Sequence, residues 1–110
     1  MTEVTPEQEA RWIESQVTDA LRHVYDPEIP INIVEVGLIY GVKASEDGKV
    51  LIDMTLTAPN CPAAQTLPVE VESAARSVPG VKEAKVNITF DPPWTPARLS
   101  EAARLQLGLF

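Results

Sequence analysis

Apolar residues recur at helical spacing through "TPEQEARWIESQVTDALRHV", at Ile13, Val17, Ala20, Leu21 and Val24. Thr5 suits the N-cap, Pro6 the first helical position, and Gln8 completes a capping box. The periodicity predicts a helix that runs to Asp26-Pro27, where a residue before proline is pushed out of the α region. In "DPEIPINIVEVG" two prolines and a terminal glycine preclude a long regular element. Ile29, Ile31, Ile33, Val34 and Val36 are too apolar for a solvated linker. This stretch is expected to be a loop pinned onto the core, with one helical turn around Asn32 to Glu35.

The period then shortens to two. "LIYGVKA" and "KVLIDMTLT" read as strands joined by the turn signal "SEDG". In the second strand Val50, Ile52, Met54 and Leu56 share the buried face, and Leu51, Asp53, Thr55 and Thr57 the other. "CPAAQTLPVEVESAARSV" predicts a second helix with Ala64, Leu67, Val71, Ala74, Ala75 and Val78 inward. Pro68 forces either a kink or a helix that starts near Leu67. "VKEAKVNITF" is a third strand, with Ala84, Val86, Ile88 and Phe90 on one face. Prolines 92, 93 and 96 forbid a central strand in "DPPWTPARLSEAARLQLGLF". Ser100 can cap a short helix there, with Leu105 on its apolar side and Gly108 at its end. The predicted fold is a small two-layer α+β domain of order α-β-β-α-β. Its helices cover one face of a mixed sheet, and an irregular proline-rich tail carries a short helix. Residues 1–110 are expected to form a single domain.

Composition narrows the function classes. The 110 residues are 45% apolar, which suits a packed core. No apolar run approaches the ~20 residues of a membrane span, and the acidic "MTEVTPEQEA" is no secretory signal. One cysteine permits no intramolecular disulfide, which fits a reducing cytoplasm. The net charge of -7 and the scattered lysines and arginines argue against nucleic acid or an anionic membrane as the partner.

The candidate chemistry centres on Cys61 in "LTAPNCPAAQ", between a strand end and a helix start. Backbone N–H groups at a helix start stabilise a thiolate or hold an anion. The competing reading is a small buried hydrophobe. His23 is the only histidine and nothing in the spacing brings it to Cys61, so neither a Cys-His dyad nor a mononuclear zinc site is supported. His23 is expected near the C-terminal end of the first helix. An iron–sulfur cluster needs about four ligands, so one chain cannot supply them, whereas a symmetric homodimer would bring two Cys61 residues together. "DPE" sets Asp26 and Glu28 on a proline-stiffened loop, where they could bind a hard cation or orient a thiol, or else simply cap a turn and meet solvent. Glu35 and Asp53 read as a polar loop position and an outward strand position. Thr57 could donate its hydroxyl to a thiolate, or serve only as a strand residue. Trp94 either covers a site or packs the tail onto the core, and the second is preferred.

Three ordered blocks, "DPEIPINIVEVGLIY", "LTAPNCP" and "FDPPWTP", resemble the SufT-like iron–sulfur assembly family, which includes PaaD, the phenylacetyl-CoA oxygenase subunit. The resemblance covers about Thr5 to Leu109. It implies a small α+β fold and an accessory role in the maturation of iron–sulfur proteins, with no turnover chemistry. It also implies a pocket of Asp26, Glu28, Thr57 and Cys61, with Trp94 expected to shape its rim or a partner surface. Cys61 would then be a ligand to iron or to a transient iron–sulfur cluster, shared across a dimer. The implied partners are assembly machinery and apo client proteins. PaaD-type members carry an added cysteine-rich C-terminus, whereas this chain has no second cysteine, which argues against the oxygenase-subunit role. No Walker A pattern occurs in these residues, so no ATP hydrolysis is expected of them, and a stand-alone domain is expected. Two other readings remain open: a metal-free adaptor that docks machinery onto apo clients, and a thiol enzyme, for which the sequence offers no convincing base.

Overall fold

The computed structural model describes residues 5–25, 31–57 and 66–108. Helix α1 spans Pro6–Leu21. The capping box is present: the Thr5 hydroxyl accepts from the Gln8 N–H at 3.2 Å, and the Thr5 N–H donates to Gln8 Oε1 at 3.0 Å. The helix buries Ala10, Ile13, Val17 and Leu21. It stops at Leu21, short of the expected end at Asp26-Pro27. Arg22, His23 and Val24 donate to Asp19, Ala20 and Leu21, a tighter i to i+3 pattern that ends the α-helix early. Val24 remains buried.

The expected single turn is α2, Ile33–Val36. Asn32 caps it, its Oδ1 accepting from the N–H groups of Val34 and Glu35 at 3.1 and 3.0 Å. Gly37 ends it with φ +89°, the left-handed region that glycine enters freely.

The sheet has the order β1-β2-β3, with β1 Ile39–Ala44, β2 Lys49–Met54 and β3 Glu83–Ile88. β1 and β2 are antiparallel, with Tyr40 as the extra residue of an irregularity between Ile39 and Gly41. β2 and β3 run parallel. The sheet is therefore mixed, as expected. Val42, Ile52 and Val86 align across the three strands on the inner face, as do Ala44, Val50 and Ala84. Helix α3, Leu67–Arg76, begins at Leu67, so Pro68 sits in the first turn and no kink arises. The expected helix start at Cys61 and Pro62 lies outside the described residues.

Both long helices pack on one side of the sheet. Val17 and Leu21 of α1, Leu67 and Val71 of α3, and Ile52 and Met54 of β2 belong to one core cluster. Each such aliphatic side chain contributes about 1.5–3 kcal/mol by leaving water.

Three details depart from the expected pattern. β2 ends at Met54, and the Thr55 N–H turns to the Leu38 carbonyl at 2.8 Å. The alternation breaks there, so Thr55 is fully buried and does not face outward. β3 ends at Ile88, which leaves Phe90 beyond the ladder and 42% exposed. In the tail a 3-10 turn, Pro96–Arg98, precedes α4, Glu101–Leu107, with Ser100 as N-cap and Gly108 in the left-handed C-cap. The buried position of α4 is Ala103; Leu105 points to solvent. Among the described residues no helix is long and apolar enough to cross a membrane.

Candidate functional site

Asp26, Glu28 and Cys61 lie outside the described residues, but the backbone that leads into both of their segments does not. The Ile33 N–H donates to the Val24 carbonyl at 2.9 Å, the Leu38 N–H to the Ile33 carbonyl at 3.1 Å, and the Thr55 N–H to the Leu38 carbonyl at 2.8 Å. Tyr25 pairs with Asn32 in an isolated antiparallel bridge. The strand-like chain at 24–25, the return at 31–33 and the exit from β2 at 55 are thus linked by successive backbone bonds. Both segments that hold the sequence-predicted residues therefore spring from one ladder.

The ladder stands on an apolar floor. Ile31, Ile33, Leu38, Leu56 and Leu67 are all buried. Thr57 follows directly, half-buried in a bend. Thr55 behind it has no exposed surface. Among the described residues its hydroxyl meets only the neighbouring Leu56 carbonyl, at a long 3.4 Å. The alternation rule put Thr55 on the solvent side, so its burial was not visible in the sequence.

Glu35 does more than occupy a loop. Its carboxylate pairs with Arg22 Nη1 at 2.5 Å, just beyond the end of α1. The Ser100 side chain hydrogen-bonds to it and holds the carboxyl below the usual carboxylate range, against the opposing push of burial and with help from Arg22. The Ser100 N–H also donates to the Glu35 carbonyl at 2.9 Å. One residue of α2 thereby ties α1 to the N-cap of α4, beside the Tyr25–Asn32 bridge. Arg22, Glu35 and Ser100 are too far apart in the chain for spacing to reveal this.

Trp94 packs against the core, and its indole N–H donates to the Val36 carbonyl at 2.8 Å. It satisfies one of the free carbonyls at the end of α2. Packing of the tail, the preferred reading, is what the described contacts show for Trp94. Asp53 faces outward and accepts from Asn87 Nδ2 at 3.2 Å. His23 lies past the end of α1 and lines a groove with Val24, Val69 and Ser73, between α1 and α3. Among the described residues no group of three His, Cys, Asp or Glu side chains converges to hold a metal.

Comparison with known proteins gives this geometry a context. The chain is 50% identical over 95 residues to a protein of Porphyromonas gingivalis named Fe-S protein maturation auxiliary factor, covering 86% of this chain and 90% of that one. It is 40% identical over 97 residues to the Bacillus subtilis Fe-S protein maturation auxiliary factor YitW, covering 88% and 95%. The crystal structure of a domain of unknown function, DUF59, from Bacillus anthracis superposes with a TM-score of 0.88 at 34% identity, covering 94% of this chain and 99% of that one. A family model described as iron–sulfur cluster assembly protein matches residues 14–88, a span that takes in Asp26, Glu28, Thr57 and Cys61. By these matches the chain belongs to the iron–sulfur cluster assembly protein family.

Proposed function

We propose that this protein is an accessory factor in the maturation of iron–sulfur proteins, and that Cys61 is its working thiol. The family match over residues 14–88 is the observation that carries the reading. The backbone ladder through Val24, Ile33, Leu38 and Thr55 supports grouping Asp26, Glu28, Thr57 and Cys61 into one site, since their segments share its stems.

In this reading the cargo is iron or an iron–sulfur cluster, handled transiently as substrate. The Cys61 thiolate contacts iron or a client cysteine; thiolates are the usual ligands of such clusters. The Thr57 hydroxyl donates to the thiolate, and the Asp26 and Glu28 carboxylates receive its proton or touch iron as hard oxygen donors. One cysteine per chain leaves the remaining ligands to a partner, either a second copy or an apo client. The protein works as a maturation factor in the cytoplasm and not by multiple turnover.

The test joins two measurements. Cys61→Ser is expected to lower client maturation in cells to the level of the deletion. Anaerobic reconstitution with iron and sulfide is expected to give visible absorbance with the wild type and none with the variant. Unchanged client maturation by the variant would sink the thiol role. Lost maturation by the variant, with no cluster bound by either protein, would leave a metal-free adaptor in its place.

A further inference from the structure

The chain has four lysines, Lys43, Lys49, Lys82 and Lys85, and all of them meet at one corner of the sheet. Lys43 of β1 pairs with Leu51 of β2, which pairs with Lys85 of β3, so one row across the open face reads lysine, leucine, lysine. Their strand neighbours Val50, Ile52 and Ala84 are buried, so the pleat turns this row outward. Lys49 begins β2 one step along the same face, opposite Glu83. The Lys82 N–H donates to the Gly48 carbonyl at 2.8 Å, which sets Lys82 beside the hairpin turn. Leu51 is 41% exposed at the centre. The row borders an open depression of about 520 Å3 that Lys43, Lys49, Leu51 and Lys85 line.

Among the described residues only Lys49 of these four has an ion-pair partner, Asp47 at 3.8 Å on the exposed turn. The arginines lie elsewhere, on or just past α1, on α3 and in the tail. A chain with 16 acidic and nine basic residues has no need of lysines clustered here for solubility.

We propose that this open sheet face docks an acidic protein segment that carries an apolar anchor. The anchor seats on Leu51, and carboxylates on either side meet Lys43 and Lys85. The surface occupies the opposite end of β2 from Thr57, so it stands or falls independently of the Cys61 site. Charge complementarity selects this occupant. Two copies laid face to face would set lysine rows against each other, so the face is not self-complementary. A polyphosphate gains nothing from the central leucine and meets Asp47 and Glu83 in the same depression.

The test uses the full chain, labelled with 15N, and a short synthetic peptide with one leucine between flanking glutamates. Amide shifts are expected to centre on Lys43, Leu51 and Lys85. Binding is expected to weaken about tenfold in the K43E/K85E variant, where two attractive exposed pairs become repulsive. Leu51→Thr, a change at an exposed strand position, is expected to weaken it with the same circular dichroism spectrum. A peptide with serine in place of leucine is expected to bind more weakly. Equal binding of the serine peptide, shifts centred elsewhere, or no binding at all would overturn the proposal. So would tighter binding of duplex DNA or of phosphatidylglycerol vesicles to the same face at the same salt.

Discussion

Gly37 is the position where a single methyl group does most damage. Its φ of +89° already disfavours any L side chain, and a left-handed residue costs roughly 1–2 kcal/mol. A Cβ there would also lie 2.4 Å from the Arg98 carbonyl oxygen and 3.0 Å from its carbon. Those are backbone atoms, so the contact cannot be relieved by a rotamer change. Gly37→Ala therefore either keeps the tail docked under strain or pushes it away. Displacement forfeits the Trp94–Val36 hydrogen bond, the Ser100–Glu35 backbone bond and the burial of Leu99 and Ala103. One such hydrogen bond is worth about 0.5–1.5 kcal/mol and a buried leucine about 1.5–3. Displacement therefore costs at least about 3 kcal/mol, a fall in Tm of order 10–20 °C for a domain of this size. Urea melts give the stability. Trp94 emission reports the tail in a Trp12→Phe background, because the chain has two tryptophans and Trp12 is exposed. The expected result is the full loss together with a red shift of Trp94 emission. A loss of about 1 kcal/mol or less with unchanged emission would mean that the methyl fits and that the close approach of Arg98 is not a constraint.

Asn32→Ala removes the acceptor for two N–H groups at the start of α2 and should cost about 1 kcal/mol in urea melts, with Asn32→Asp largely retaining stability. Glu35 has its pKa lowered by Ser100 and Arg22, so the unfolded chain binds more protons than the folded one in the acid range. Its contribution is complete above the ordinary carboxylate value and is lost as pH falls through the depressed one. The stability gap between wild type and Glu35→Gln should accordingly shrink between about pH 6 and about pH 3, and a gap constant over that range would refute the assignment. Leu105→Ser should change stability by no more than about 0.5 kcal/mol, since Leu105 is 54% exposed. Ala103→Leu should cost about 1–3 kcal/mol by overpacking the face that α4 buries.

Periodicity was a good guide wherever one rule governed a whole segment. The capping box of α1, the single turn at Asn32, the hairpin and the start of α3 at Leu67 all follow from spacing and from the stereochemistry of proline and glycine. It failed where a long-range bond outweighed the local pattern. Thr55 should face solvent by alternation, but its N–H is committed to Leu38, which belongs to another segment. Leu105 is the largest apolar residue in the middle of its helix, yet the tail approaches α2 so closely that the small Ala103 makes the contact. The same limit applies to the site. Trp94 was legible as a rigid, proline-framed ring, but Thr57 was expected to end a strand and lies instead in a bend, because β2 stops at Met54. The Arg22–Glu35–Ser100 contacts link residues that no local rule relates. The ordered motif blocks pointed to the iron–sulfur assembly family, and the family match bears that out.

The parallel pairing of β2 with β3 has a consequence for how the chain folds. The β1–β2 hairpin closes across a turn of a few residues, but β3 reaches its place only after residues 55–82 have been drawn into a loop. Closing the longer loop costs more chain entropy, which orders the events: hairpin first, third strand last. Cys61 lies within that late-closing stretch. A chain emerging from the ribosome would complete the hairpin early, yet could not seat the cysteine-bearing stretch between its final anchors until β3 had also emerged. Higher φ values in the hairpin than in β3 would report this order, and the reverse would overturn it. The stretch that carries Cys61 would then be among the last parts of the molecule to be anchored at both ends.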